Sequence, residues 1–145
     1  MKLESPAFAN GGVLPEKYGC NGEGISPPLE ISGAPNGTKA FALVLDDPDS
    51  PSHKFVHWVA WNIPKNSTSI PEGASPGTSG KNSFGRGGYG APCPPPGPAH
   101  SYRFTVYALD ATLDLSSGAT KEQLDAAMHG RILAQAELRG KYGGG

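Results

Sequence analysis

Three short segments of the chain carry the side chains best suited to binding chemistry. The first is an acidic turn over residues 46–51, DDPDSP, and the second is the apolar segment around His57, VHW. The third is the Gly- and Pro-rich run over residues 88–102, which contains His100. Singly, these are typical of a solvated turn, a core histidine and a rigid loop. Together, two imidazoles, a carboxylate and loop N–H groups predict an anion pocket.

The surroundings of the two histidines indicate how such a pocket is built. His57 stands between Phe55 and Val59 in an apolar run, so we expect it to be at least partly buried and to need hydrogen-bond partners. Asp47 follows a neighbouring buried segment, and we expect its carboxylate to orient His57. His100 follows the stiff loop, where a strand begins.

The elements that must position these residues are mainly strands. Strands are predicted by apolar, β-branched and aromatic runs at residues 39–45, 55–63 and 102–110, by an alternating pattern at 131–138, and more weakly at 29–32 and 2–5. The run at 55–63 is apolar on both faces, which is typical of a central strand. Residues 91–99 contain five prolines and predict an irregular loop.

One helix is predicted near residues 121–129. Thr120 and Gln123 have the spacing of a capping box, and Gly130 provides a stop. Short strands, long loops and no internal repeat predict one domain over residues 1–145. The expected fold is a mainly antiparallel β-sandwich with one or two short peripheral helices.

Composition excludes several classes of function. Lys and Arg number 12, Asp and Glu 13, and the net charge is −1 without a basic cluster, so nucleic acid is not an expected partner. No apolar run approaches the roughly 20 residues of a membrane span, so stable membrane insertion is not expected. The amino-terminal residues have no signal-peptide pattern, which favours a cytoplasmic protein.

The two cysteines follow no metal-binding or CxxC pattern. In a cytoplasmic protein Cys20 and Cys93 are expected to be reduced thiols, and neither is expected to be catalytic. A disulfide between them is an open alternative.

The three motifs occur together, and in the same order, in a known family. DDPDSP, VHW and GYGAPCPPPGPAHSY resemble the signature segments of the phosphatidylethanolamine-binding proteins. The opening SPAFANGGVLPEKYGCNGEGISPPL and the ending HGRILAQAELRGKYG are similar to the compact bacterial and archaeal, Raf kinase inhibitor-like branch. The resemblance implies a Greek-key β-sandwich whose pocket binds phosphate, a phosphorylated lipid head group or a similar anion.

The resemblance also implies a set of site residues. The ligand-binding positions that match the family motifs are Asp47, His57, Gly90, Ala91, Pro92, Pro94, His100 and Tyr102. Supporting positions are Asp49, Pro51, Trp58, Tyr89 and Cys93. A cis Ser50–Pro51 bond is a further expectation. The chain departs from the family at Ser101, where Arg is usual, and at Ala91, where Gly is usual.

The function implied by the resemblance is binding or regulation without catalysis or a cofactor. Expected partners are a phosphate-type anion and a kinase or protease that the protein inhibits, and compact family members suggest a homodimer. One alternative is a small hydrolase that uses His57 or His100 as a general base, although no GxSxG motif is present. Another is a metal site formed by His57, His100 and Asp47.

Overall fold

The computed structural model describes residues 1–144, and within them the chain forms nine strands and two short helices. The strands are β1 (Lys2–Glu4), β2 (Gly12–Val13), β3 (Leu29–Ser32), β4 (Ala40–Asp47), β5 (Phe55–Pro64), β6 (Ser69–Ile70), β7 (Thr78–Ser79), β8 (His100–Leu109) and β9 (Ile132–Tyr142). The helices are a 3₁₀ turn (Glu16–Tyr18) and α1 (Lys121–Met128). Among residues 1–144, no helix is both long enough and apolar enough to cross a membrane.

The strands form two sheets of unequal size. The smaller has the order β1-β3-β6, and the larger has the order β2-β9-β8-β4-β5-β7. All pairs are antiparallel except β2 with β9. In the larger sheet β8 returns to lie beside β4 after β5 and β7, which is a Greek-key order. The predicted, mainly antiparallel β fold is confirmed.

The core lies on both faces of the larger sheet. Phe41, Leu43 and Leu45 of β4 belong to the cluster between the two sheets, whereas Ala42 and Val44 belong to a second cluster under α1. Every residue of β4 is therefore buried. Burial on two faces explains why most of this strand and of β5 is continuously apolar rather than alternating.

The helix begins where the sequence predicts it to begin. The Thr120 hydroxyl accepts a hydrogen bond from Gln123 N–H (3.2 Å), and the Gln123 side chain accepts one from Thr120 N–H (2.8 Å). The last helical residue is Met128, one before the predicted end, and Gly130 follows with φ of 77°.

Three strands are longer than their apolar patterns suggest. β4 continues to Asp47, β8 begins at His100, and β9 continues to Tyr142. Cross-strand pairing carries β8 and β9 past their apolar residues, with His100 opposite Tyr142. The polar side chains of Asp47 and His100 are thus the end residues of strands whose register is fixed by the sheet.

Candidate functional site

A cavity of about 300 Å³ opens at the end of the larger sheet where β4 ends and β8 begins. It is lined by polar residues from three strands and a turn and by an apolar wall from two loops. The lining residues are Asp47, Ser50, Pro51, Phe55, His57, Phe84, Cys93, Pro94, Pro95, His100 and Tyr102. The structure thus brings together five of the predicted ligand-binding residues and two of the predicted supporting residues.

His100 is held by Asp47. Its Nδ1 lies 2.7 Å from Asp47 Oδ2, while Asp47 Oδ1 accepts the N–H of Asp49 at 3.0 Å. The Asp47 carboxylate is buried, with both oxygens engaged. Because a carboxylate only accepts, Nδ1 of His100 carries the proton and Nε2 is left for a ligand. The expectation that Asp47 orients His57 is wrong, because the first residue of β8 takes that carboxylate.

His57 is placed by a β-bulge. β5 pairs Trp58 with Leu45 and Val56 with Asp46, so His57 is the extra residue between them. Without the bulge, His57 would lie on the face opposite Trp58. With it, Trp58 packs between the sheets, and the His57 ring reaches the same side, 5.3 Å from the Tyr102 ring.

The buried His57 ring finds its partner in the loop before the prolines. Nδ1 lies 2.8 Å from the carbonyl of Gly90, and the side chain is almost fully buried. Burial lowers the pKa of His57 below the usual imidazole range, against smaller opposing effects of the Gly90 carbonyl and of Asp47. His57 is therefore neutral near pH 7, and its Nδ1–H donates to Gly90.

Nε2 is consequently the ring nitrogen that each imidazole has available for the cavity. Each uses Nδ1 inside the protein, so Nε2 is free to accept a hydrogen bond when the ring is neutral and to donate one when it is protonated. Within residues 1–144, no three His, Cys, Asp or Glu side chains are grouped as metal ligands. The arrangement is suited to a ligand that either brings a proton or favours protonation of a ring.

Tyr102 contributes a neutral hydroxyl. It lies in the strand that begins with His100, and burial raises its pKa, so the side chain stays protonated at any physiological pH. A protonated phenol can donate to an anion as well as accept.

The opposite wall is apolar and partly aromatic. Phe55 and Phe84 meet edge-to-face with ring centroids 5.0 Å apart, and Pro94 and Pro95 complete the wall. Phe84 is 43% exposed, with the Arg86 guanidinium 5.8 Å from its ring centroid. Pro95 belongs to the proline loop whose residues 91–96 are expected to wall the pocket, whereas Ser50, Phe55 and Phe84 are not predicted from the sequence. An aromatic residue inside the Gly-rich segment SFGRGG was the one signal available for Phe84.

A disulfide connects the apolar wall to the loop that follows the 3₁₀ turn. Cys93 is bonded to Cys20, with Cα atoms 5.3 Å apart. The prediction of two reduced thiols is therefore wrong, and the open alternative is the observed one. The sequence alone does not indicate that the two sulfur atoms meet, because the cysteines are 73 residues apart in the chain. The expected cis Ser50–Pro51 bond is also wrong, since this bond is trans.

Several predicted residues lie behind the cavity rather than in its lining. Gly90 contributes its carbonyl to His57, Ala91 lies against Gly24, and the Pro92 carbonyl accepts the Cys20 N–H. Tyr89 and Trp58 pack edge-to-face, with ring centroids 5.4 Å apart. These residues support the wall that Cys93 and its neighbours present.

At Ser101, where the family usually has Arg, the backbone makes the contact to the acidic turn. The backbone N–H of Ser101 donates to Asp49 Oδ2 at 2.7 Å. On the other face of the sheet, Arg103 binds Asp46 through Nε (2.9 Å) and a terminal nitrogen (2.6 Å). An ion pair between β8 and the acidic segment therefore exists, two residues further along the strand.

A second cavity of about 300 Å³ lies on that outer face, lined by residues such as Arg103, Tyr107 and Lys121. Its cations are already bound, Arg103 to Asp46 and Lys121 to Asp125 (2.7 Å). In the first cavity, called here the imidazole cavity, Nε2 of His57 and Nε2 of His100 have no hydrogen-bond partner within residues 1–144. The imidazole cavity is therefore the better candidate for a ligand site.

Comparisons with known proteins agree with this architecture. The sequence model of the phosphatidylethanolamine-binding protein family matches residues 4–143. A UPF0098 protein of Methanothermobacter thermautotrophicus is 47% identical over 149 residues, covering 98% of each chain. UPF0098 protein PH1269 of Pyrococcus horikoshii is 45% identical over 148 residues, covering 95% of this chain and 74% of its own.

Two crystal structures are similar over almost the full length. CT736 of Chlamydia trachomatis, a phosphatidylethanolamine-binding protein homologue, has a TM-score of 0.94 at 43% identity, covering 97% of this chain and 95% of its own. YbcL of E. coli has a TM-score of 0.91 at 31% identity, covering 98% and 97%. Sequence, fold and motifs therefore agree that the chain belongs to the phosphatidylethanolamine-binding protein family.

Proposed function

We propose that the protein is a non-catalytic binding protein that holds a phosphate-type anion, such as a phosphorylated head group, in the imidazole cavity. The observation that carries the proposal is the pair of histidines, His57 and His100, each bound inside the protein through Nδ1. Within residues 1–144 their Nε2 atoms have no hydrogen-bond partner, and with the Tyr102 hydroxyl they are polar groups available to a ligand. Protonated imidazoles and a phenol are donors suited to phosphate oxygens.

The apolar wall supports a ligand that carries carbon next to its charge. Phe55, Phe84 and Pro95 exclude water from one side of the cavity, which strengthens hydrogen bonds to an anion on the other side. The same surfaces can contact the organic part of a phosphoester. Inorganic phosphate would use the donors but leave this wall without contact.

The proposal includes a regulatory role, in which the protein inhibits a kinase or a protease. Its support is the resemblance to Raf kinase inhibitor-like proteins. Phe84 and Arg86 at the rim of the cavity offer an exposed aromatic and cationic surface beside the ligand.

A hydrolase is the second candidate, and one observation favours it. Neutral His57 with a free Nε2 is a competent general base. The nucleophiles beside it are poor, because Cys93 has no thiol in the disulfide and the Ser50 hydroxyl already accepts the Phe55 N–H at 3.4 Å. This comparison favours binding over turnover.

Calorimetric titration with glycerophosphoethanolamine near pH 6 tests the binding proposal. We expect saturable binding that His57→Gln and His100→Gln each weaken, with folding checked by near-ultraviolet circular dichroism. His129→Gln, an exposed imidazole after α1, is the matched control and should bind normally. Binding indifferent to both site substitutions would overturn the proposal. Release of nitrophenol from bis(p-nitrophenyl) phosphate, abolished by His57→Gln, would instead establish the hydrolase.

A further inference from the structure

We propose that the Cys20–Cys93 disulfide is a redox control of the imidazole cavity. In the oxidised protein the bond holds the wall formed by Cys93, Pro94 and Pro95 in place. Reduction by a dithiol releases that wall and weakens anion binding. The inference rests on the proposed function, because it concerns regulation of the same site.

The disulfide is accessible to a reductant. Both Cys20 and Cys93 are exposed, and Cys93 borders the cavity itself. A dithiol thiolate attacks one sulfur and displaces the other cysteine as a thiolate, which takes a proton, and a mixed disulfide forms. The second thiol of the reductant then displaces the remaining protein cysteine. In total, two electrons and two protons pass from the dithiol to the protein, which gains two thiols while the reductant becomes a disulfide.

The segment that carries the wall makes few backbone hydrogen bonds to the rest of the protein. Residues 92–98 include five prolines, which carry no N–H group. Within residues 1–144, the one backbone hydrogen bond of this segment runs from the Cys20 N–H to the Pro92 carbonyl, at 3.0 Å. The Pro94 ring also lies beside Gly143. The hydrogen bond and the disulfide both reach the same partner segment, at Cys20.

That partner segment is itself anchored. The Asn21 N–H donates to the Tyr142 hydroxyl at 3.1 Å, and the Gly24 N–H donates to the Lys17 carbonyl at 2.9 Å. Cys20 is thus a fixed point connected to the end of β9. The bond from Cys20 to Cys93 therefore restrains the position of the cavity wall.

Movement of the wall would reach the polar half of the site through the chain. Gly90, whose carbonyl holds His57, is three residues before Cys93. Pro94 and Pro95, directly after Cys93, are the residues that close the cavity opposite the imidazoles. Reduction therefore affects both the shape of the cavity and the group that fixes the His57 tautomer.

The test compares glycerophosphoethanolamine binding to oxidised protein, to protein reduced with dithiothreitol, and to the double variant Cys20→Ser/Cys93→Ser. We expect the dissociation constant to rise roughly 3- to 10-fold in the reduced protein and in the variant, as ordering of the wall is lost from the free protein. Dithiothreitol added to the variant is the control and should change nothing.

The outcomes separate this inference from the proposed function. Equal affinity in the oxidised and reduced proteins, with His100→Gln weakening both, overturns redox control and leaves the anion site standing. Absence of binding in every form overturns both proposals. Loss of near-ultraviolet circular dichroism on reduction also contradicts the inference, because the bond would then maintain the whole fold rather than the wall.

Discussion

At the scale of single residues, the two imidazoles share a cavity but have different surroundings. His57 is 3% exposed and donates to a neutral carbonyl, whereas His100 is partly exposed and donates to the Asp47 carboxylate. Burial makes the His57 ring resist protonation, against the smaller opposing effect of the Gly90 carbonyl. The two Nε2 atoms therefore belong to rings that differ in burial and in the charge of the Nδ1 partner.

The first prediction concerns binding of a ligand with fixed charge. Affinity for sulfate or a phosphodiester should weaken as pH rises from about 5 to 8, because only a protonated imidazole donates from Nε2 and a bound anion favours that form. Burial lowers the pKa of His57 in the free protein, so the part of the change due to His57 should lie on the acidic side of about pH 6.5. His57→Ala should weaken binding and flatten this dependence, and His100→Ala should weaken binding. Calorimetry across the range measures it, and His129→Ala is the control. Affinity that is independent of pH in the native protein would mean that neutral donors alone hold the anion.

The second prediction concerns stability and the lowered pKa of His57. The unfolded state binds a proton near pH 6.5, whereas the folded state does so only at lower pH. The contribution of His57 to the free energy of unfolding is therefore full above about pH 6.5 and declines as pH falls towards the folded pKa. His57→Gln lacks this titration and keeps a donor for the Gly90 carbonyl.

Urea denaturation near pH 7.5 and near pH 5 measures this second effect. The native protein should lose more of its free energy of unfolding than His57→Gln between the two conditions. His129→Gln should behave like the native protein, since that imidazole is exposed. Parallel losses in the native protein and His57→Gln would contradict a buried neutral His57.

The residue types of the site could be predicted from sequence, but their pairing could not. Asp47, His57 and His100 stand out as polar groups at or near apolar strands, and they do converge in one cavity. Which imidazole the carboxylate binds depends on the bulge at His57 and on β8 starting at His100. Neither feature has a sequence pattern, because both arise from cross-strand register.

At the scale of elements, a loop glycine sets the distance between the aromatic wall and β5. Gly90 N–H donates to the His57 carbonyl at 2.7 Å, while its own carbonyl accepts from the His57 ring. A Cβ at Gly90 would lie 2.5 Å from the Phe84 ring and 3.2 Å from Asn82 Nδ2. No larger residue fits without displacing that ring.

The third prediction follows from this close contact. Gly90→Ala should displace Phe84, lower the free energy of unfolding by about 1–3 kcal/mol and weaken anion binding. Gly87→Ala is a matched control, because its added methyl would have no neighbour nearer than 3.9 Å and should change stability by less than about 0.5 kcal/mol. Denaturant titration and calorimetry measure both. Native behaviour of Gly90→Ala would show that the Phe84 wall adapts freely.

Element types were easier to predict than their ends. The capping box marks the start of α1 because its two hydrogen bonds are local. The apolar patterns predict β4, β8 and β9 to be shorter than they are. The polar residues at these strand ends are held by pairing with partner strands and not by burial of an apolar face. The candidate site lies at the ends of β4 and β8, so the least predictable parts of these two strands supply lining residues of the cavity.

At the scale of the whole molecule, segments distant in sequence are joined around one end of the sandwich. The loop after the 3₁₀ turn, the proline loop and the end of β9 meet at the Cys20–Cys93 bond and the Tyr142 hydroxyl. These contacts connect an amino-terminal loop to the end of the last strand, β9. The disulfide closes a long loop in the unfolded chain, which favours the folded state.

The fourth prediction is the effect of that closure on stability. Reduction should lower the free energy of unfolding by about 2–4 kcal/mol without unfolding the protein at room temperature. Guanidinium denaturation with and without dithiothreitol measures the change, and Cys20→Ser/Cys93→Ser should match the reduced protein. Identical midpoints would contradict a disulfide in the purified protein.

The adjacent residues Asp46 and Asp47 have a consequence for motion at the mouth of the cavity. Alternation of β4 directs them to opposite faces, and each binds a side chain of β8, Arg103 outside and His100 inside. Strand ends usually separate before strand centres, and their amide hydrogens exchange quickly with solvent. Here the last residues of β4 are fastened on both faces, so their amides should exchange nearly as slowly as those of the core. The ligand site would then lie on the least mobile end of the sheet, and its adaptability would reside in the loops.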